Sequence, residues 1–121
     1  MFVGVCRLSF QLPGVHSLKE KRSIVQRLVE RTRSKFSVSM AEVRDNDVHQ
    51  RAQLGFSVVG NETRHVNAML ATISSFVENM GLATLVSKET EVVSFQDEFG
   101  DRVASLNGEV PLMTEEDFYE R

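Results

Sequence analysis

Two hydrophobic spacings alternate along this chain, and their order constrains the fold more than any other feature. Phe2, Cys6, Leu8, Phe10 and Leu12 share one parity, while Arg7, Ser9 and Gln11 take the other, with Val3 and Val5 nearer the start. A period of two over this length predicts a half-buried strand. Pro13-Gly14 ends it with turn chemistry. The spacing then changes. Ile24, Val25, Leu28, Val29 and Thr32 recur at steps of three and four, closed by Phe36, which predicts an amphipathic helix of about five turns. Ser17 stands three residues before Glu20, the spacing at which each side chain caps a backbone N–H left open at the helix start.

The same change of period recurs. Residues 36–43 predict one strand, and Ala52, Leu54, Phe56 and Val58 alternating with Arg51, Gln53, Gly55 and Ser57 predict another. The polar run Arg44-Asp45-Asn46-Asp47-Val48 between them predicts a hairpin loop. Asn61 is the expected N-cap of a second helix, with Glu62 at its positive end and Gly81 in the left-handed position beyond its last turn. Val66, Met69, Leu70, Ile73, Phe76, Val77 and Met80 form its apolar face, and a last strand falls within residues 83–95. Two right-handed β–α–β units in this order interlock as an α+β, ferredoxin-like split β–α–β domain. It has a four-stranded antiparallel sheet with both helices on one face. Leu8, Phe10, Leu54, Phe56 and Val58 should meet the helices. The opposite face, left bare, should display Arg7, Ser9, Gln11, Ser37, Ser39, Arg51, Gln53 and Ser57.

With 121 residues, 41% hydrophobic and 26% charged, the chain has the make-up of one globular domain. No apolar run reaches the ~20 residues that span a bilayer, and the N-terminus has no signal pattern, so a cytoplasmic protein without membrane partners is expected. Cys6 is the only cysteine, which excludes an internal disulfide and a cysteine-rich metal site. Charge is divided unevenly. Residues 1–95 carry 12 Lys and Arg against 9 Asp and Glu, leaving +3, whereas residues 96–121 carry 2 against 8, leaving −6. The predicted organisation is a domain over residues 1–95 followed by an acidic extension over 96–121.

Four blocks resemble one family. Leu12-Pro13-Gly14, His16-Ser17-Leu18-Lys19-Glu20-Lys21-Arg22, Val38-Ser39-Met40-Ala41-Glu42-Val43 and Gln50-Arg51-Ala52-Gln53-Leu54-Gly55 are similar, in order and in register over roughly residues 1–93, to the YlxP-like proteins. These are small bacterial proteins of unassigned function. The resemblance implies a ferredoxin-like domain. It also implies a setting in translation or ribosome assembly, because the genes of relatives often lie beside those of translation initiation factor two and ribosome-binding factor A. The chain departs from the family at His49, where a tryptophan is usual, and in the acidic extension.

Candidate chemistry centres on cations. The first helix bears Lys19, Lys21, Arg22, Arg27, Arg31, Arg33 and Lys35. At 100° per residue, Lys19, Arg22 and Arg33 fall on one flank of the apolar stripe and Arg27 and Arg31 on the other, while Lys21 projects close to the stripe itself. A helix N-terminus with clustered cations offers N–H groups and positive charge to a phosphate. The alternative is a solvated face with Glu20 and Glu30 as counterions. The expected phosphate-binding residues for RNA or a ribosomal particle are Lys19, Lys21, Arg22, Arg7 and Arg51. The bare sheet face is the second candidate, for a homodimer without nucleic acid. Phe10 and Phe56 have the buried parity, which disfavours base stacking on that face.

No enzyme or cofactor pattern emerges. Acylphosphatases share the expected fold, but the loop from Pro13 to His16 lacks their arginine, and Asn46 has no evident partner. Asp45, Asp47 and His49 alternate without a calcium-loop pattern, and His16 and His65 pair with no nucleophile. No glycine-rich phosphate loop is present. Cys6 has core parity, as befits a small buried hydrophobe. In the extension, Thr114 is a possible cap for a short acidic helix able to lie over the first helix and compete with nucleic acid.

Overall fold

The computed structural model describes residues 1–95. Its elements are β1 (Phe2–Gln11), α1 (Leu18–Lys35), β2 (Ser39–Arg44), β3 (Arg51–Gly60), α2 (Thr63–Asn79) and β4 (Thr84–Ser94). The sheet runs β2-β3-β1-β4, and each neighbouring pair is antiparallel. This is the ferredoxin-like arrangement that the change of periods predicts. The division into a domain and an acidic extension concerns residues 96–121, which lie outside the described residues, as does the helix expected after Thr114.

Parity decides what the sheet buries. Cys6, Leu8 and Phe10 of β1 are buried, as are Ala52, Leu54, Phe56 and Val58 of β3 and Met40 of β2. They meet Val25 and Leu28 of α1 and Val66, Leu70, Ile73 and Val77 of α2 in one cluster. Burying each such large side chain contributes about 1.5–3 kcal/mol. Contact between α2 and the sheet is close because β1 has Gly4 there: a Cβ at that position would lie 2.5 Å from Val66 Cγ1.

Local signals set the helix ends. Ser17 Oγ accepts from the Glu20 amide at 3.1 Å, and the Glu20 carboxylate accepts from the His16 amide at 3.2 Å. The start of α2 differs from expectation. The chain stays extended through Glu62 (φ −137°, ψ 134°), so Glu62 is the N-cap residue and no side chain caps the helix. Gly81 has the left-handed backbone expected of it, φ 68°. Two irregularities break the pairing. One displaces Val43 between Glu42 and Arg44 opposite β3, and the other displaces Val86 where β1 shifts register between Ser9 and Phe10.

Candidate functional site

The expected cation cluster divides into groups with different fates, and Lys21 is the clearest correction. Its position on α1 points it inward, as the helical angle indicates, and its side chain is fully buried. The ammonium lies 2.8 Å from Glu42 Oε2 on β2, donates to the Val48 carbonyl at 2.7 Å, and also donates to the Asp45 carbonyl. Three oxygens thus surround the ammonium, and two of them receive its N–H bonds. The Glu42 contact is Coulombic, without hydrogen-bond alignment, and the two carbonyls receive the directed bonds. Lys21 is therefore withdrawn from phosphate contact. It ties the β2–β3 loop to the first turn of α1. Asp45 bends that loop with φ 59°, and the Val48 amide closes the turn on the Asp45 carbonyl at 3.0 Å.

Arg7 has the open-face position expected of it but is not a free cation. Its Nη2 donates to Glu89 Oε2 at 2.8 Å, directly across the β1–β4 pairing. The charge that parity assigned to a phosphate is balanced by an acid on an adjacent strand.

Lys19, Arg22 and Arg51 remain. All three are exposed and make no ion pair among the described residues. They share one end of the molecule: Arg51 opens β3 opposite Gln11, and α1 begins a short loop after Gln11. Arg27, Arg31, Arg33 and Lys35 continue the exposed cations along α1. The acids on that helix form no ion pair with them among the described residues. Glu20 is engaged with the His16 amide, and Glu30 Oε1 accepts from Gln26 at 3.0 Å.

The uncovered sheet face is not uniformly polar. At the Arg51 end it displays Gln11, Ser9 and Gln53. At the other end Val3 lies opposite Val59 on one side and Val93 on the other, with Val5 in the next row. Val5, Val59 and Val93 are 44%, 59% and 41% exposed. Val43, 53% exposed, leans over Gly55, where a Cβ would lie 2.9 Å from its Cγ1. A shallow depression of about 350 Å³ lies here, bordered by Val5, Arg7, Val43, Gly55, Glu89 and Glu91. Phe10 and Phe56 are buried on the helical side, so β1 and β3 offer no ring for base stacking on this face. Val3, Val5 and Val59 are legible in the sequence as odd-numbered residues of β1 and β3, whereas Val93 joins them only through the β1–β4 register.

The remaining candidates are quiet. Asp45, Asp47 and His49 are not gathered as a metal-binding group among the described residues. Cys6 is buried, with its Sγ 3.5 Å from Ser74 Oγ. Burial pushes its thiol above the ordinary value of 9.0, against smaller opposing effects of the Ser74 hydrogen bond and the Lys88 charge. No helix among the described residues is long and apolar enough to cross a membrane.

Against known proteins, residues 3–90 match the family model described as "Protein of unknown function (DUF503)". The uncharacterized protein YlxP of Bacillus subtilis (strain 168) is 36% identical over 66 residues, covering 51% of this chain and 72% of that protein. Among solved structures, a chlorite dismutase-like protein aligns with a TM-score of 0.49 at 10% identity, over 88% of this chain and 48% of that one. A dimeric ferredoxin-like protein from an uncultured marine organism aligns at 0.42 and 10% identity, over 79% of this chain and 99% of that one. Both structural scores are below 0.5, the range of a loose likeness in shape.

Proposed function

The chain belongs to the DUF503 family of proteins of unknown function, and from that footing we propose that it is a non-enzymatic module that contacts the phosphate backbone of structured RNA or of a ribosomal particle. One observation carries the reading: six exposed cations on α1, with the two acids of that helix engaged by neutral partners. Lys19, Arg22 and Arg33 share a flank of α1, and Arg51 lies at the same end of the domain as Lys19. Such a row follows a polyanion through charge alone, and the absence of an exposed ring on β1 and β3 fits contact with little base readout. Lys21 and Arg7 take no part.

Filter binding of the full chain to ribosomal RNA over a salt series tests the reading, together with cosedimentation with ribosomal subunits. Each phosphate contact lowers the log–log slope by roughly 0.7–0.9 through counterion release. Changing Lys19, Arg22 and Arg33 together to Ala is expected to flatten the slope by about 2–3, while Arg7→Ala leaves it unchanged. A salt-independent or unmeasurable affinity in the unmodified chain would instead favour a homodimeric domain that binds no nucleic acid.

A further inference from the structure

We propose that the open sheet face is covered by a second copy of this chain, stacked sheet on sheet about a two-fold axis parallel to the strands. The inference goes beyond RNA contact and uses none of the cations of α1.

The axis follows from how the face is divided. Its apolar residues are gathered at one end: Val3 is flanked by Val59 and Val93, and Val5 occupies the next row. Its polar residues Gln11, Ser9, Gln53 and Arg51 occupy the other end. A two-fold axis across the strands would lay each valine cluster on the partner's polar end. A two-fold axis along the strands lays Val3 of each copy on Val59 of the other.

That axis also reverses the strand order, so β4 of one copy lies over β2 of the other. On the open face β4 carries Glu89 and Glu91. Arg44 of β2 is placed opposite Gln53, on that same face, by the bulge at Val43. Arg44 of each copy is thereby brought within one residue row of Glu89 of the other, an acid that also holds its own Arg7, and the contact occurs twice. Aligned sheets pack about 10 Å apart with their strands near −30°, a separation that side chains of this length span.

The area is sufficient. The four strands hold 37 residues, which at about 4.8 Å spacing and about 3.3 Å rise give a face of roughly 600 Å², or at most about 1,200 Å² over both copies. That reaches the lower bound for a stable protein interface. The depression over Gly55 adds relief into which a side chain of the partner can seat.

Sedimentation equilibrium of the full chain is the test. The expected species has twice the 13.7 kDa chain mass. Val5→Lys combined with Val59→Lys is expected to give a single chain with an unchanged circular dichroism spectrum, since both side chains are exposed. Arg44→Glu and Glu89→Arg each create two like-charge contacts in a homodimer, whereas a mixture of the two variants restores both attractions. The mixed dimer is expected to form about tenfold more tightly than either variant alone. A 13.7 kDa species at every concentration overturns the proposal, as does a mixture that associates no better than its components. If that monomer shows slow amide exchange in residues 96–121 that is lost in the double-lysine variant, the occupant is the acidic segment, and the proposal again falls. None of these outcomes bears on the salt dependence of RNA binding.

Discussion

Lys21 on the first turn of α1 and Glu42 on β2 form a buried ion pair 2.8 Å apart, and the same ammonium also binds the Asp45 and Val48 carbonyls. Removing the cation leaves a carboxylate without its counter-charge and two carbonyls without their donor. Lys21→Ala is therefore expected to cost about 3–5 kcal/mol, read as a lower urea midpoint. Lys21→Met with Glu42→Leu removes the stranded charge and should recover part of the loss, leaving the cost of the two carbonyls. Equal loss in the single and double variants would show that the carboxylate does not set the penalty.

The Arg7–Glu89 pair provides the contrast. Its side chains are 41% and 62% exposed, so water screens the attraction. Arg7→Ala is expected to change stability by no more than about 1 kcal/mol, with a difference that shrinks in high salt. Thermal unfolding at low and high salt checks both the size and the trend.

Gly4 lies where α2 rests on β1. Any Cβ there must displace Val66 and Leu70, since it would fall 2.5 Å from one and 2.9 Å from the other. Gly4→Ala is expected to destabilise the domain by roughly 1–3 kcal/mol through overpacking. Combining it with Val66→Ala, which removes the first clash, should give less than the sum of the two single losses in a double-mutant cycle.

Cys6 predicts a pH dependence. Burial raises its folded-state pKa above 9.0, so the folded chain holds the proton after the unfolded chain has released it. The stability from this difference is fully present below about pH 9 and is lost as pH rises through the folded value. Cys6→Ala should therefore flatten the alkaline limb of the stability curve relative to the unmodified chain. The same burial predicts that a thiol reagent labels the native protein only at the rate at which the core opens.

Much of this architecture was legible in the sequence. Parity in β1 and β3 and the stripes of α1 and α2 report which residues are buried, because those patterns record a local geometry repeated over whole elements. The inward direction of Lys21 followed from the same angle count. Its acceptors did not, since Glu42 and the Asp45 and Val48 carbonyls reach it only through the packing of β2 and its loop against α1. The pairing of Arg7 with Glu89 depends on the β1–β4 register, which no local pattern specifies. Asn61 has the chemistry of a cap, but extended backbone through Glu62 carries the helix start past it. Val3 and Val5 share the open-face parity in the sequence, but their clustering with Val59 and Val93 likewise depends on strand register.

Lys21 follows Lys19 by two residues and precedes Arg22 by one, and the Val48 carbonyl that it grips lies three residues before Arg51. An interior charge thus acts as a mooring between two separate stretches of surface. By holding the hairpin loop against the helix start, it sets the spacing between cations that it never joins. Cutting that mooring would disperse them even where each one survives unchanged.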